Sequence, residues 1–298
     1  MVRVKPGLEE FTRRPALSNV DKPHHCKTGY KQHLDTMKTF VIGDVHGRRS
    51  QLKRLIEMLP RDAGDTLVLL GDLIDRGEDA PGTVSDVIEL QKSAPEHIIA
   101  LRGNHEQMLL DLLDGRSDLW FHPAVGSELT FEQYAGRELS MALRENLDAA
   151  IRAVKKIVPP EHVEFFRQMP LYHEDNYAIY VHAGVCVDMH PRDCSPQQLL
   201  WARDQNFFKN YRGKPCIFGH TPTQFLPMLG RLGRHKIYIS HSAVGIDTGY
   251  TAHAPLSCLE LPSFTLRQTF ADGHSETHHI SAFVPEPLRA LRRTGANL

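Results

Sequence analysis

The sequence predicts an α/β fold, because short apolar runs alternate with amphipathic segments and three of those runs end in glycine. The runs are Thr39–Ile42, residues 66–70 and residues 97–101, stopped by Gly43, Gly71 and Gly103. After the first, Leu52, Leu55, Ile56 and Leu59 recur at helical spacing until Pro60. After the second, a helix is expected over 81–92, with Pro81 suited to its first turn. This strand–helix–strand–helix–strand order reads as a sheet with largely parallel connections.

From 106 to 169 the pattern turns helical, opening on Leu109, Leu110, Leu112 and Leu113. A Pro159-Pro160 break precedes a short helix holding Val163, Phe165 and Phe166. Strands then resume near 178–181, 216–218, 236–240, Leu256–Leu261 and 264–268, so the helical stretch reads as an insertion rather than a separate domain. The last two strands, parted by Pro262 and Ser263, read as a hairpin. The expected organisation is one main domain over 39–270, flanked by segments 1–38 and 271–298. Segment 1–38 is polar, carries Pro6, Pro15 and Pro23, and has no apolar period. It is expected to be a disordered extension, or to precede a true start at Met37, with docking through Arg13-Arg14 the competing view. The tail is His-rich, then basic at Arg289, Arg292 and Arg293, and is expected to be mobile at its end.

Composition narrows the function classes. The 298 residues are 41% hydrophobic and 24% charged with a formal net charge of -1. That balance describes a globular chain and disfavours a nucleic-acid partner, which calls for a basic excess. No apolar run approaches a membrane span and no hydrophobic signal core opens the chain, so a cytoplasmic setting without membrane contact is expected. The five cysteines are scattered with no Cys-x-x-Cys pair, which argues for reduced thiols and against a thiolate metal site or a cysteine nucleophile. Histidine, with 18 copies, is the anomaly that invites a search for ligands.

Beyond the three glycine-stopped strands lie Asp44-Val45-His46, Asp72-Leu73-Ile74-Asp75-Arg76 and Asn104-His105-Glu106. Ligands of α/β sheets bind beyond the carboxyl ends of strands, so three neighbouring ends deliver these groups to one crevice. Carboxylate, imidazole and amide oxygen together suit hard-to-borderline divalent ions. Asp72, with two oxygens, can bridge a pair of them, and such a pair generates a nucleophile from water without serine or cysteine. Each piece alone is weak: Asn104, for instance, could simply cap a helix.

Together, the three motifs resemble the signature of the metal-dependent phosphoprotein phosphatase family within the calcineurin-like metallophosphoesterases, of the bacterial serine/threonine phosphatase type. Tyr180-Val181-His182-Ala183-Gly184 and Phe218-Gly219-His220-Thr221 resemble two further motifs of that family, so the similarity runs from about Phe40 to Leu261. The resemblance implies a β-sandwich flanked by helices, with the site at the strand ends. It implies two divalent ions, expected to be manganese with iron and zinc as alternatives. Asp44 and His46 would hold the first, Asp72 would bridge, and Asn104, His182 and His220 would hold the second, with a metal-bridging hydroxide as nucleophile. His105 resembles the family's general acid and Asp75 the carboxylate that orients it; Arg76 and Arg203 resemble the phosphate clamps.

Arg102 is expected to make a structural ion pair beneath the site, and Asp247 to organise its loop. His24, His25, His33, His235, His253, His278 and His279 are expected to be solvated or weakly ordered, His241 needs no metal, and the charges of the insertion should form its solvated face. Leu101-Arg102-Gly103-Asn104-His105-Glu106, with glutamate after the acid, and Asp75-Arg76 favour a serine/threonine protein phosphatase, acting on a phosphoprotein or a small phosphorylated substrate. Symmetrical diadenosine tetraphosphatase, or another nucleotide polyphosphate hydrolase, is the runner-up, and tyrosine-directed activity stands third. A scaffold protein without metals is disfavoured, since the ligand set is intact.

Overall fold

The structure, a computed structural model, describes residues 37–136, 146–234, 236–251, 253–285 and 288. The expectations for residues 1–36, including His24, His25 and His33, and those for His235, Arg289, Arg292 and Arg293 lie outside the described residues.

Strands β1 (Thr39–Ile42), β2 (Thr66–Leu69) and β3 (Ile98–Ala100) lie side by side and parallel. Helix α1 (Arg49–Glu57) joins the first two, and α2 (Ala80–Ser93) joins the second and third. The side chain of Asp79 accepts the N–H of Gly82, which caps α2 just before Pro81 in its first turn. Four helices follow: α3 (Asn104–Leu113), α4 (Ser127–Ala135), α5 (Leu147–Ile157) and α6 (Pro160–Gln168). Then come β4 (Tyr172–Glu174), β5 (Ile179–Val181), α7 (Pro196–Trp201), α8 (Gln205–Asn210) and β6 (Cys216–Phe218). The chain continues through β7 (Arg231–Leu232), β8 (Ile237–Ser240), β9 (Ala243–Gly245), β10 (Leu256–Leu261), β11 (Thr265–Thr269) and β12 (Ser275–His279).

These strands build two six-stranded sheets, ordered β12-β11-β10-β1-β2-β3 and β4-β5-β6-β9-β8-β7. The two-residue period of a strand divides its apolar run between two cores. Val41 and Val68 turn toward the second sheet and share a cluster with Tyr180, Ile217, Val244 and Leu259. Phe40, Ile42, Leu67 and Leu69 turn the other way, into a cluster with Leu52, Val84, Trp120, Phe131 and Phe166 from the helical layer. Ile179, Val181 and Phe218 face outward from the second sheet and are covered by Phe207 and Phe208 of α8. The result is a β-sandwich with helices on both outer faces, as the resemblance implied. The helical stretch shares its core with Phe40 and Ile42, so it extends the layer begun by α1 and α2.

Four strands escaped the sequence reading: β4, β7, β9 and β12. The last is the clearest departure, since Ser275–His279 had been placed in the tail. It pairs antiparallel with β11, from Thr265 opposite His279 to Thr269 opposite Ser275. His278 and His279 are therefore not loose: His278 Nε2 lies 2.7 Å from Glu276 and His279 Nδ1 lies 3.1 Å from the Thr265 hydroxyl. His253 is exposed, as expected. Among the described residues, no helix is long and apolar enough to cross a membrane.

Ile217, fully buried between the sheets, tests this layering. Ile217→Ala should lower unfolding free energy by about 2–5 kcal/mol in urea titration. A loss well under 1 kcal/mol, the scale of an exposed position, would contradict a two-sheet core at this residue.

Candidate metal centre

Five strand ends converge because β1, β2 and β3 are parallel in one sheet while β5 and β6 are parallel in the other. The loops after β1 and β2 are stitched together by His46 N–H to Asp72 O (2.6 Å) and Gly47 N–H to Leu73 O (2.8 Å). Gly71, at φ +102°, lets the β2 end press on the β3 end: a Cβ there would stand 2.5 Å from Gly103 N. His46, Asp72, Asp75, Arg76 and His220 all have φ between 47° and 72°. Non-glycine residues avoid that region, and their gathering at one place is the strain expected of a site whose surroundings over-determine it.

Glu106 carries much of that determination. Its buried carboxylate accepts backbone N–H groups from Asp72 (3.0 Å), Leu73 (2.7 Å), Ile74 (3.4 Å) and Gly103 (2.9 Å). The cap of α3 is therefore Gly103, with Glu106 reaching back to its N–H, and Asn104 is the first helical residue, free to point into the site.

The donor atoms fall into two overlapping sets that share Asp72. His46, Asp72 and His105 form one set and Asp72, His182 and His220 the other, with ligand atoms within 4.8 Å of one another in each. Asp72 Oδ2 lies 3.6 Å from His46 Nε2, and Oδ1 lies 3.4 Å from His182 Nε2, so each oxygen serves one set. Asn104 Oδ1 sits between His182 Nε2 (2.8 Å) and His220 Nδ1 (2.7 Å). His46 and His182 donate their Nδ1 protons to Ile74 O (3.1 Å) and Leu70 O (2.9 Å), which leaves each Nε2 lone pair facing inward. Asp44 belongs to neither set: its oxygens accept the His220 N–H at 3.0 and 3.2 Å. Oxygen and imidazole donors, buried and convergent, fit divalent ions of the manganese, iron and zinc group.

Electrostatics point the same way. Burial, followed by the charges of Asp247 and Asp72, pushes the Asp44 carboxyl well above its usual range. Burial opposes ionisation of Asp72 as well, but positive charge on the histidines around it, which His105 is best placed to carry, pulls its carboxyl far below the ordinary value. Burial depresses His46, His182 and His220, which keeps their rings neutral and able to ligate. The cluster thus crowds buried carboxylates against neutral imidazoles, an arrangement that cations relieve.

His105 differs. Burial pushes it down, yet Asp72 and the hydrogen bond to Asp75 outweigh that and raise its affinity for a proton. Its Nδ1 lies 2.6 Å from Asp75 Oδ2, both residues buried. Arg76 Nη1 donates to His46 Nε2 (2.7 Å), and its guanidinium stacks 4.3 Å from the Tyr250 ring centroid. Arg76 and the exposed Arg203 line one cleft of about 320 Å³ with Asp72, Asn104, His105 and His220. Asp247 accepts the Gly249 N–H, organising its loop as expected, and burial pushes its carboxyl up to about 6. Arg102 departs from expectation: its guanidinium donates to Phe166 O, Arg167 O and the Gln107 amide rather than pairing with a carboxylate. Carbonyls at the end of α6 reach it first. His241 lies 3.1 Å from Arg212 and takes no part. The sequence reading missed Tyr250, Gln205, Thr221 and Phe225 in the cleft wall. Only Thr221 had a signal, its place beside His220 in the Phe218-Gly219-His220-Thr221 motif.

Residues 37–228 match the calcineurin-like phosphoesterase family, and the chain belongs to it. Over 192 residues it is 33% identical to Serine/threonine-protein phosphatase 1 of Salmonella typhimurium, spanning 61% of this chain and 78% of that protein. It is also 26% identical over 290 residues to the asymmetrical Bis(5'-nucleosyl)-tetraphosphatase PrpE of Bacillus thuringiensis, spanning 86% of this chain and 100% of that protein. The crystal structure of a putative diadenosine tetraphosphatase shares the fold, with a TM-score of 0.54 at 19% identity, over 81% of this chain and 94% of that one.

Replacing Glu106 by Gln keeps the shape but turns an amide NH₂ toward backbone donors. At least one buried N–H loses its acceptor, at about 1–3 kcal/mol each, so Glu106→Gln should melt several degrees lower. An unchanged melting temperature would mean that the carboxylate does not hold the motif.

Proposed function

We propose that this chain is a dinuclear phosphomonoesterase acting on phosphoserine and phosphothreonine in proteins, with manganese in both positions. Asp44, His46 and Asp72 would hold one ion, and Asp72, Asn104, His182 and His220 the other. When bound, such a pair supplies a water nucleophile of lowered pKa and positive charge against the phosphoryl oxygens. The catalytic domain runs from β1 through β12, with the helical stretch 106–169 as its insertion.

The observation that carries the reading is the buried His105–Asp75 pair at the cleft. Asp75 accepts a hydrogen bond from His105 Nδ1–H, so the proton the ring can transfer is the one Nε2 carries when the ring is charged, and the carboxylates around it favour that charged form. A serine or threonine alkoxide is a poor leaving group and needs that proton most. Arg76 and Arg203 bring two guanidinium groups to the cleft, where forked donors match phosphate oxygens. The 33% identity to a serine/threonine phosphatase supports the same class. A second reading, hydrolysis of dinucleoside polyphosphates, is supported by the similarity to PrpE along that protein's whole length.

Purified protein with manganese, offered phosphopeptides and diadenosine tetraphosphate in parallel, should favour the peptides in kcat/KM; the reverse preference would replace the first reading by the second. His105→Asn should slow phosphopeptides by about a hundredfold or more and p-nitrophenyl phosphate, whose leaving group needs little protonation, far less. Equal losses on both would remove His105 from the acid role.

A further inference from the structure

The connection from β6 to β7 leaves the cleft carrying the most exposed large apolar side chains of the described residues: Phe225 at 69%, Met228 at 80% and Leu229 at 104%. This exposure belongs to a braced segment. Thr223 donates its N–H to Asp247 O (2.9 Å) and its hydroxyl to Lys236 O (2.5 Å). Leu226 is buried in the core beside Phe218 and Tyr238, and Arg231 Nε holds its carbonyl at 2.6 Å. Gly230 lies so close to the Tyr238 ring that a Cβ would collide with it. Two 3₁₀ turns, Thr223–Phe225 and Met228–Gly230, follow Pro222 and Pro227, which fix the backbone entering each. The segment is anchored inward through Leu226 while its other apolar side chains stand in water, a loss that a soluble surface avoids unless something covers them.

Position identifies the cover. Phe225 belongs to the cleft wall together with Arg203, Gln205 and His220, while Met228 and Leu229 lie outside it, so the apolar strip begins at the cleft and leaves it. We propose that Phe225, Met228 and Leu229 form a docking strip for an apolar side chain of the phosphoprotein substrate, a few residues from the phosphorylated serine or threonine. The inference rests on the protein-phosphatase reading above. None of the three side chains offers a hydrogen-bond donor, and methionine adapts its shape to varied apolar partners. A nucleobase brings polar edges that such a strip leaves unpaired.

The test uses the full chain with manganese and a set of phosphothreonine peptides in which one leucine is walked through four positions on each side, in a serine-glycine background. One or two positions should raise kcat/KM about tenfold, through KM, as a single apolar side chain does in a binding pocket. The double variant Met228→Ser/Leu229→Ser, altered outside the cleft, should lose that advantage while keeping wild-type kinetics on p-nitrophenyl phosphate and a wild-type melting temperature. A leucine effect that is absent, or that survives in the double variant, overturns the strip. So does a variant impaired on diadenosine tetraphosphate but not on peptides, or a wild-type dimer that the double substitution turns into a monomer. Normal turnover of p-nitrophenyl phosphate with none on any phosphopeptide overturns the protein-phosphatase reading itself, a failure separable from the others.

Discussion

The structure depends on one buried carboxylate that never faces the cleft chemistry. Glu106 gathers the backbone N–H groups of Asp72, Leu73, Ile74 and Gly103, and so fastens the end of β2 to the start of α3. Asp72 can then hold a left-handed backbone conformation with its carboxylate turned to both donor sets, and Asn104 can begin a helix rather than cap one. The cost of burying the charge is visible in Glu106 itself, whose carboxyl burial and the neighbouring Asp72 push up to about 7 while the backbone donors pull it down. An acceptor for several backbone donors offsets part of that cost, because orphaned N–H groups in the same place would be costly in turn.

A second constraint is the contrast among imidazoles. His46, His182 and His220 are depressed by burial and stay able to ligate, whereas His105, in the same pocket, is raised because Asp72 and Asp75 stand against it. Environment alone separates one readily protonated ring from three metal-competent ones, since all four are the same residue. The left-handed backbone at Asp75 and Arg76 belongs to this arrangement: Asp75 N–H is held by the Thr130 hydroxyl and Arg76 N–H by Gly126 O. The helical layer thereby supports the site from behind.

Much of this was legible in the sequence because apolar runs stopped by glycine announce buried parallel strands, and the chemistry-bearing residues follow those stops. The three strand ends follow from that, while His182 and His220 joined Asp72 and Asn104 only through the family resemblance. What was illegible lacked an apolar signature. Strand β12 reads Ser-Glu-Thr-His-His and owes its existence to pairing with β11 alone. Tyr250 looks like any surface tyrosine until the fold lays Arg76 across its ring. Arg102 gave no sign that helix-end carbonyls, rather than an acid, would receive it. Glu106 was legible only as the residue after His105; its backbone partners lie more than thirty positions upstream at Asp72, Leu73 and Ile74, a relation no local pattern displays.

The central claim is a pair of ions sharing Asp72. The direct measurement is manganese content after loading and desalting, compared between the unaltered chain and Asp72→Asn. About two ions per chain should fall to fewer than one in the variant, because the shared carboxylate completes both donor sets. Two ions retained by Asp72→Asn, or a single ion in the unaltered chain, would contradict the account.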